Sequence, residues 1–289
     1  MDELLRTLVN PGLIGAIFGL KLAQALDITP NELLFARREP RLLLGSLLVV
    51  LALVPTAMFL VIALVRPPRS TEIALAIVAA APAAPLVLSS ALQVGGRLGY
   101  VVSLQLGLAL LAAITTPLTL GVLARALDFR EAMSPLTVAQ QVAGALLLPT
   151  CLGVLLRARF PRFAQRLHAP LRTVSGIVFL AVILLVISQT YDLLLKLDPR
   201  SYLAIFLAIA SALAIGHLCG RGSAGDRAAL ALECAVRNPG LAMLIGSLNF
   251  PGAMSLHIVV PYLFVSGVTT TLYSRWQLAT RKHEQRPQS

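Results

Sequence analysis

The sequence predicts an all-α polytopic membrane protein of about nine transmembrane helices, and three observations support this fold class. Hydrophobic residues make up 57% of the 289 residues and charged residues only 13%, whereas a soluble domain carries about a quarter charged residues. Mean hydropathy is +0.82. The apolar residues form runs of about 20, the length of a helix that crosses a bilayer, and they do not alternate as in a β-barrel. A soluble enzyme is therefore excluded.

The predicted spans form one membrane domain, residues 1–289, with short connections. They run over residues 10–26, 42–64, 73–94, 98–124, 136–156, 173–191, 201–220, 228–249 and 255–274. No connection exceeds about 16 residues, so there is no room between spans for a soluble catalytic or nucleotide-binding domain. This disfavours an ATP-driven pump within the chain.

Basic residues give the expected orientation in the bilayer. The formal net charge of +11 lies almost entirely between the apolar runs, so lipid headgroups, not nucleic acid, are the expected partners, and no soluble partner is implied. Fifteen bases fall on one side of the nine-span arrangement and seven on the other. By the positive-inside rule, the richer side is cytoplasmic. We therefore expect a multi-pass protein of the plasma (inner) membrane, with its N-terminus outside and its C-terminus cytoplasmic.

Cysteine spacing predicts neither a metal site nor a disulfide. Cys151, Cys219 and Cys234 lie singly within or at the ends of apolar runs, and no two of them have metal-site or disulfide spacing. We expect no metal and no cofactor.

Two opposite charges lie deep inside the run 228–249. Glu233 and Arg237 are four residues apart, a spacing that places both on one face of a helix, where they can partly neutralise each other. A charge at the centre of a membrane helix costs about 2.5–3.5 kcal/mol and usually marks a pathway or site. The alternative is a structural buried ion pair. Lys21 lies near the end of the first run, where its side chain can reach the interface.

Two spans carry a proline break near their centres. In one, Asn238 can cap a new helix whose first residue is Pro239; in the other, Pro82 and Pro85 interrupt the apolar run. A single proline kink is common in membrane helices, but paired interrupted helices indicate a transporter binding site. The breaks fit an inverted repeat of four and five spans, because the broken span is next to last in each unit.

These residues resemble those of a known transporter family. The run Glu233-Cys234-Ala235-Val236-Arg237-Asn238 is similar to the Glu-x-Gly-x-Gln-Asn motif of the bile acid:sodium symporter family. The stretch 78–96 resembles that family's other broken helix, and a long span containing Thr115-Thr116-Pro117-Leu118 follows it. The resemblance covers residues 10–275 and is to the family's nine-span form.

The resemblance implies a two-part architecture and a site between the parts. The core would comprise spans within 42–124 and 201–274, and a panel the spans within 10–26 and 136–191. The two broken helices would cross in the core, and organic anions would pass between core and panel.

This sequence departs from the family pattern at the sodium ligands. Arg237 stands where the motif has glutamine, Val87 and Leu88 fall on the family's Ser-Asn pair, and a further glutamine falls on about Val50. Sodium needs several oxygen ligands, as other hard cations do. We therefore expect Arg237 to act as a tethered substitute for sodium, so that transport is sodium-independent or coupled to protons through Glu233.

Other polar residues complete the candidate site. Ser89, Ser90 and Gln93 follow the first break and either line the pathway or bond across helices. His217 and His257 are candidate proton carriers, although a lone intramembrane histidine is more often a packing residue.

The sequence thus predicts a secondary transporter of a small organic anion and not an enzyme. The half-helices beginning at Pro85 and Pro239 would direct positive dipole ends to the midplane, and an Arg fork suits carboxylates, sulfonates or phosphates. The alternatives are an intramembrane enzyme acting on lipid, and an anion channel or sensor.

Overall fold

The part of the chain that the structure describes is all-α. The structure is a computed structural model that describes residues 8–82, 84–128, 134–249 and 256–284. These ranges contain fourteen α-helices, two internal π-helical segments and no strand. The predicted fold class is therefore confirmed at this level.

The N-terminal half contains a short helix that the span pattern does not predict. This helix is α2, in the connection between the first two predicted spans, where its arginines Arg37 and Arg38 are exposed. The helices of this half are α1 (Asn10–Leu26), α2 (Pro30–Arg38), α3 (Pro40–Leu48), α4 (Val54–Val65), α5 (Arg69–Ala79), α6 (Val87–Gln93) and α7 (Leu98–Ala126).

The C-terminal half has a second interrupted pair of short helices between two longer ones. Its helices are α8 (Pro135–Val142), α9 (Leu148–Arg159), α10 (Pro161–Leu195), α11 (Pro199–Cys219), α12 (Ala224–Ala235), α13 (Pro239–Asn249) and α14 (Leu256–Glu284). The two short ones, α12 and α13, occupy the predicted span 228–249.

Six helical stretches of the described residues are long and apolar enough to cross a membrane. They are Pro40–Val65, Leu98–Ala126, Pro135–Arg159, Pro161–Gln189, Pro199–Cys219 and Ala224–Asn249. The nine-span count and the inverted repeat stay predictions, because α1 has only 17 residues and the first interrupted span consists of two short helices.

Each π-helical segment comes just before a proline. Val49–Leu53 joins α3 to α4, in which Pro55 is the second residue, and Ala143–Leu147 joins α8 to α9, in which Pro149 is the second residue. Proline lacks the amide hydrogen and crowds the preceding turn, and a π-bulge absorbs this mismatch without ending the helix. Backbone carbonyls near each bulge are left without an ordinary helical partner.

Both predicted breaks are present. The helix α5 ends at Ala79 and α6 begins at Val87. Pro85 therefore lies in a turn, whereas the sequence predicts that Pro85 starts a half-helix. The turn at Pro85 and Leu86 lies between α5 and the short α6. The second break is narrower, since α12 ends at Ala235 and α13 begins at Pro239, as the sequence predicts.

The second broken pair is enclosed by other helices. In the stretch Ala224–Asn249, 94% of the most apolar window is buried, which agrees with the predominance of apolar residues along both half-helices. The helix α11 packs closely along α12. A Cβ added at Gly216 would lie 2.5 Å from the Ala231 Cα atom, so only glycine permits this approach, as is common between membrane helices.

Candidate functional site

The two breaks meet through a direct backbone hydrogen bond. The amide of Asn238 donates to the carbonyl of Ala81 at 2.9 Å. The Asn238 side chain accepts from the amide of Leu241 at 3.0 Å, so it caps α13 as predicted. Pro82 and Pro239 are buried beside this contact. The end of α5 and the start of α13 are therefore fixed against each other.

Arg237 places its guanidinium among backbone carbonyls. The side chain is 1% exposed. It donates to the carbonyls of Val50 at 3.1 Å and Val78 at 3.4 Å, and to that of Ala79. Val50 lies in the first π-helical segment, and Val78 and Ala79 form the last turn of α5, whose carbonyls carry the negative end of the helix dipole. The Val78 carbonyl also accepts from the Ala81 amide at 3.0 Å. A fixed positive charge thus lies against carbonyl oxygens of the two irregular segments.

The expected ion pair between Glu233 and Arg237 is not formed. No salt bridge joins them among the described residues, because α12 ends at Ala235 and the helical i, i+4 geometry no longer holds at Arg237. Glu233 instead accepts hydrogen bonds from the Gln105 amide at 2.8 and 2.6 Å. The same amide nitrogen donates to the Ala84 carbonyl at 3.1 Å.

Lys21 does not reach the membrane interface, contrary to expectation. It is 1% exposed, and its ammonium donates to the side-chain oxygens of Gln24 at 3.0 Å and Gln105 at 3.2 Å. Gln105 therefore links Lys21 on α1 to Glu233 on α12 through one amide group. The helix α1 packs against α9 and α10, and this polar chain joins α1, α7 and α12.

A cavity of about 350 Å³ opens beside this polar chain. Lys21 and Gln105 lie in its wall, together with Arg172 and Asp27, while most of the remaining wall is apolar. The other lining residues are Gln24, Ala25, Ile28, Leu88, Ser89, Leu92, Leu98, Val102, Leu106, Ala109 and Thr150. Such a cavity suits a molecule with an apolar body and one charged group.

Two further spaces lie near the contact between the breaks. A cavity of about 70 Å³ is lined by Arg237, Asn238, Pro85 and Pro239, among others. An apolar groove of about 660 Å³ shares Leu86 and several other residues with it and extends to Tyr191 and Tyr202. The larger cavity, of about 350 Å³, thus has Lys21 in its wall, and the smaller cavity, of about 70 Å³, has Arg237 in its wall.

The predicted serines and glutamine after the first break do not all lie in these spaces. Ser89 lines the larger cavity, and its hydroxyl donates to the Leu86 carbonyl at 3.3 Å. Ser90 is half-buried and Gln93 is exposed, and neither lies among the residues that line the three spaces. A part of Ser90 and Gln93 in the pathway therefore stays a prediction.

His217 contacts polar and aromatic side chains of α14. The Nδ1 atom of His217 lies 2.7 Å from the Tyr273 hydroxyl and within reach of Gln277, in a cluster with Trp276. Such contacts are typical of a packing residue, and the role of His217 as a proton carrier stays a prediction. The side chain of His257 lies outside the described residues.

Oxygen atoms suitable as ligands for a hard cation are present but already bonded. They are the Glu233 carboxylate and the carbonyls of Val50, Val78 and Ala79, all of which accept hydrogen bonds from protein groups. No group of three or more His, Cys, Asp or Glu that could hold a metal occurs in the described ranges.

A second polar cluster lies at the start of α7 near the larger cavity. Arg97 donates to the buried Asp226 at 2.8 Å and to Glu39, and the hydrogen bond to Glu39 raises the Arg97 pKa. Asp226 also forms a capping box with Ser223 at the start of α12. The cluster ties α7 and α12 to the connection between α2 and α3.

Sequence reasoning missed Lys21, Gln24 and Gln105 as site residues. A signal was available, because Gln105 interrupts the apolar run 98–124, and Lys21 and Gln24 lie three residues apart in the run 10–26. Polar residues in such runs face the interior of the helix bundle.

Comparison with known proteins agrees with the sequence resemblance. Residues 15–197 match the model of the Sodium Bile acid symporter family. The match includes the first break and ends before Glu233. No curated protein matches the chain.

Proposed function

Since the chain belongs to the sodium bile acid symporter family, whose members are secondary transporters, we propose that it carries an organic anion by alternating access without sodium. The observation that carries this proposal is the position of Arg237. Its guanidinium bonds to the carbonyls of Val50, Val78 and Ala79 at the contact between the broken helices.

The described residues at this contact offer no free set of ligands for sodium. A sodium ion would need several of the oxygens that Arg237 and Gln105 already engage. It would also have to lie close to the Arg237 charge, and like charges in a low-dielectric interior repel strongly. The fixed cation therefore performs the neutralising role of an ion, and sodium has no place in the cycle.

An anionic substrate agrees with the charges that face the two cavities. Lys21 lines the larger cavity and Arg237 the smaller one. The apolar remainder of both walls favours an organic acid over an inorganic anion. A carboxylate, sulfonate or phosphate group would bind the cation, and the apolar walls would hold the rest of the molecule.

Proton coupling through Glu233 is the second form of this proposal. The connection of Glu233 to Lys21 through Gln105 supports it, because protonation of Glu233 would weaken its hydrogen bond from Gln105 and so alter the contact between Gln105 and Lys21. Under this form, an imposed pH gradient would change the rate of anion uptake.

The bilayer placement is part of the proposal. With the N-terminus outside and the C-terminus cytoplasmic in the plasma (inner) membrane, the larger cavity opens toward the arginine-rich cytoplasmic end. The core spans within 42–124 and 201–274 would move against the panel spans within 10–26 and 136–191. Lys21 on α1 and Glu233 on α12 would then lie on opposite sides of the moving boundary.

A thermal-shift screen tests the proposal on the purified protein. Carboxylates and sulfonates of increasing apolar size are compared in sodium chloride and in choline chloride. We expect one or more acids to raise the melting temperature equally in both salts. Stabilisation that requires sodium would contradict sodium independence, and the failure of every acid would contradict anion binding.

Transport in proteoliposomes then separates a carrier from the two alternatives. Saturable uptake of a stabilising acid, without chemical change to it, is the expected result. Turnover of a lipid would indicate an intramembrane enzyme. Flux far above carrier rates, without counterflow, would indicate a channel.

A further inference from the structure

Three charged side chains are buried in the interior of the described helices, and they do not cancel. Lys21, Glu233 and Arg237 are each 1% exposed. The other buried charge of the described residues, Asp226, is paired with Arg97 at the start of α7. Two cations and one anion leave a net charge of +1 around the contact between the breaks.

This sum does not depend on where one proton resides. Lys21 and Glu233 are joined through Gln105. If the ammonium gives its proton to the carboxylate, both groups become neutral and Arg237 still carries the charge. The unloaded site therefore keeps one uncompensated positive charge in either state.

An uncompensated charge in the membrane interior is costly, and a monovalent anion removes it. The 350 Å³ cavity brings such an anion to Lys21, which lies in its wall. Asp27 and Arg172, the other two charged residues of the wall, have opposite signs and cancel. A loaded site is neutral, whereas a site with a divalent anion carries a charge of −1.

Resting on the transport function proposed above, we infer that the protein is an exchanger of monovalent organic anions, with Lys21 as the group that makes return of the empty carrier unfavourable. In the loaded carrier the bound anion balances the buried charge, so the protein can change between its two states. The empty carrier would have to break the contact between Lys21 and Gln105 and expose an unpaired cation to the moving boundary. Each anion that leaves must therefore be replaced by another from the opposite side.

The test compares exchange with net uptake in proteoliposomes. The probe is octanesulfonate labelled with ³⁵S, a monovalent amphipathic anion that does not titrate. Vesicles contain either unlabelled octanesulfonate or only gluconate, and protein-free vesicles give the background. We expect uptake into octanesulfonate-loaded vesicles to exceed uptake into gluconate vesicles by about a hundredfold, the factor that corresponds to burying one unpaired charge.

The variant Lys21→Met tests the assigned residue. Its buried charges cancel, so the ratio of exchange to net uptake should fall toward one, whatever fraction of the protein is folded. Lys21→Arg keeps the charge and should keep the ratio. Lys196→Met, at an exposed position after α10, is the matched control and should resemble the unmodified protein.

Three outcomes would overturn the inference. Equal uptake into both kinds of vesicle contradicts obligatory exchange but leaves the transport function intact. A high ratio retained in Lys21→Met removes the role of Lys21. If neither kind of vesicle takes up octanesulfonate, monovalent organic anions are not the substrate class. The thermal-shift screen then tests the broader transport function by itself.

Discussion

The backbone amide of Asn238 donates to the carbonyl of Ala81 at 2.9 Å, so the two breaks are joined directly. This bond fixes the position of the residue that precedes Asn238. Arg237 is thereby held where α5 ends and where the first π-helical segment leaves its carbonyls open. A single tertiary contact thus determines the electrostatics of the site.

Replacing Arg237 with glutamine, the residue at this place in the family motif, should destabilise the protein without creating sodium dependence. The neutral amide is shorter and has fewer donors, so two of the three carbonyls would lose their partner. We expect a loss of about 2–4 kcal/mol, which corresponds to a decrease in melting temperature of about 5–10 °C.

The measurement is thermal unfolding in detergent, in sodium and in choline salts. Arg159→Gln, at an exposed helix end, is the control and should change little. If Arg237→Gln were as stable as the unmodified protein, or were stabilised by sodium alone, the tethered-cation interpretation would be wrong.

Replacing Gln105 with leucine should uncouple Lys21 from Glu233. Both charges and the Ala84 carbonyl would lose the partner that they share. Since an unsatisfied buried polar group costs about 1–3 kcal/mol, we expect the melting temperature to decrease by several degrees. Binding of the acid found by thermal shift should also weaken, and isothermal titration measures this.

Gln165→Leu is the matched control for this variant, because Gln165 is exposed on α10. Unchanged stability together with unchanged acid binding in Gln105→Leu would show that the polar chain has no part in the site.

Replacing Asp226 with alanine should weaken the junction between the start of α7 and the start of α12. The change removes the partner of Arg97 and the reciprocal capping bonds with Ser223. Because Arg97 is partly exposed, solvent compensates for some of the loss, and we expect a destabilisation of about 2 kcal/mol. Chemical or thermal unfolding measures it.

Asp192→Ala, at an exposed position near the end of α10, provides the comparison and should be nearly neutral. An equal effect of both substitutions would mean that the buried pair contributes nothing specific.

Cys219 offers a test of orientation. It is exposed at the end of α11, beside the arginine-rich connection that is expected in the cytoplasm. In a Cys151→Ser background, a membrane-impermeant maleimide should label Cys219 only after the cells are permeabilised. Ser70→Cys, added with Cys219→Ser, should be labelled in intact cells, and the reverse pattern would invert the predicted topology.

The sequence by itself determined that this protein lies in a lipid bilayer and where two of its helical stretches are interrupted. Runs of about 20 apolar residues are long enough to cross a bilayer as helices, and proline disrupts the helical turn that precedes it. The breaks around Pro82 and Pro239, and the cap by Asn238, followed from these local rules. The sequence pattern places the start of a half-helix at Pro85 and the structure places it at Val87, because several residues in this stretch can start a helix.

Only the tertiary structure decided which charges meet. The i, i+4 rule paired Glu233 with Arg237 because it treats α12 as continuous, but the helix ends between them and each side chain finds a partner on another helix. Gln105 and Val50 are far from both in sequence, and the packing of helices brings them into contact. Helix packing depends on the side chains of all the neighbouring helices together, so local periodicity does not predict these contacts.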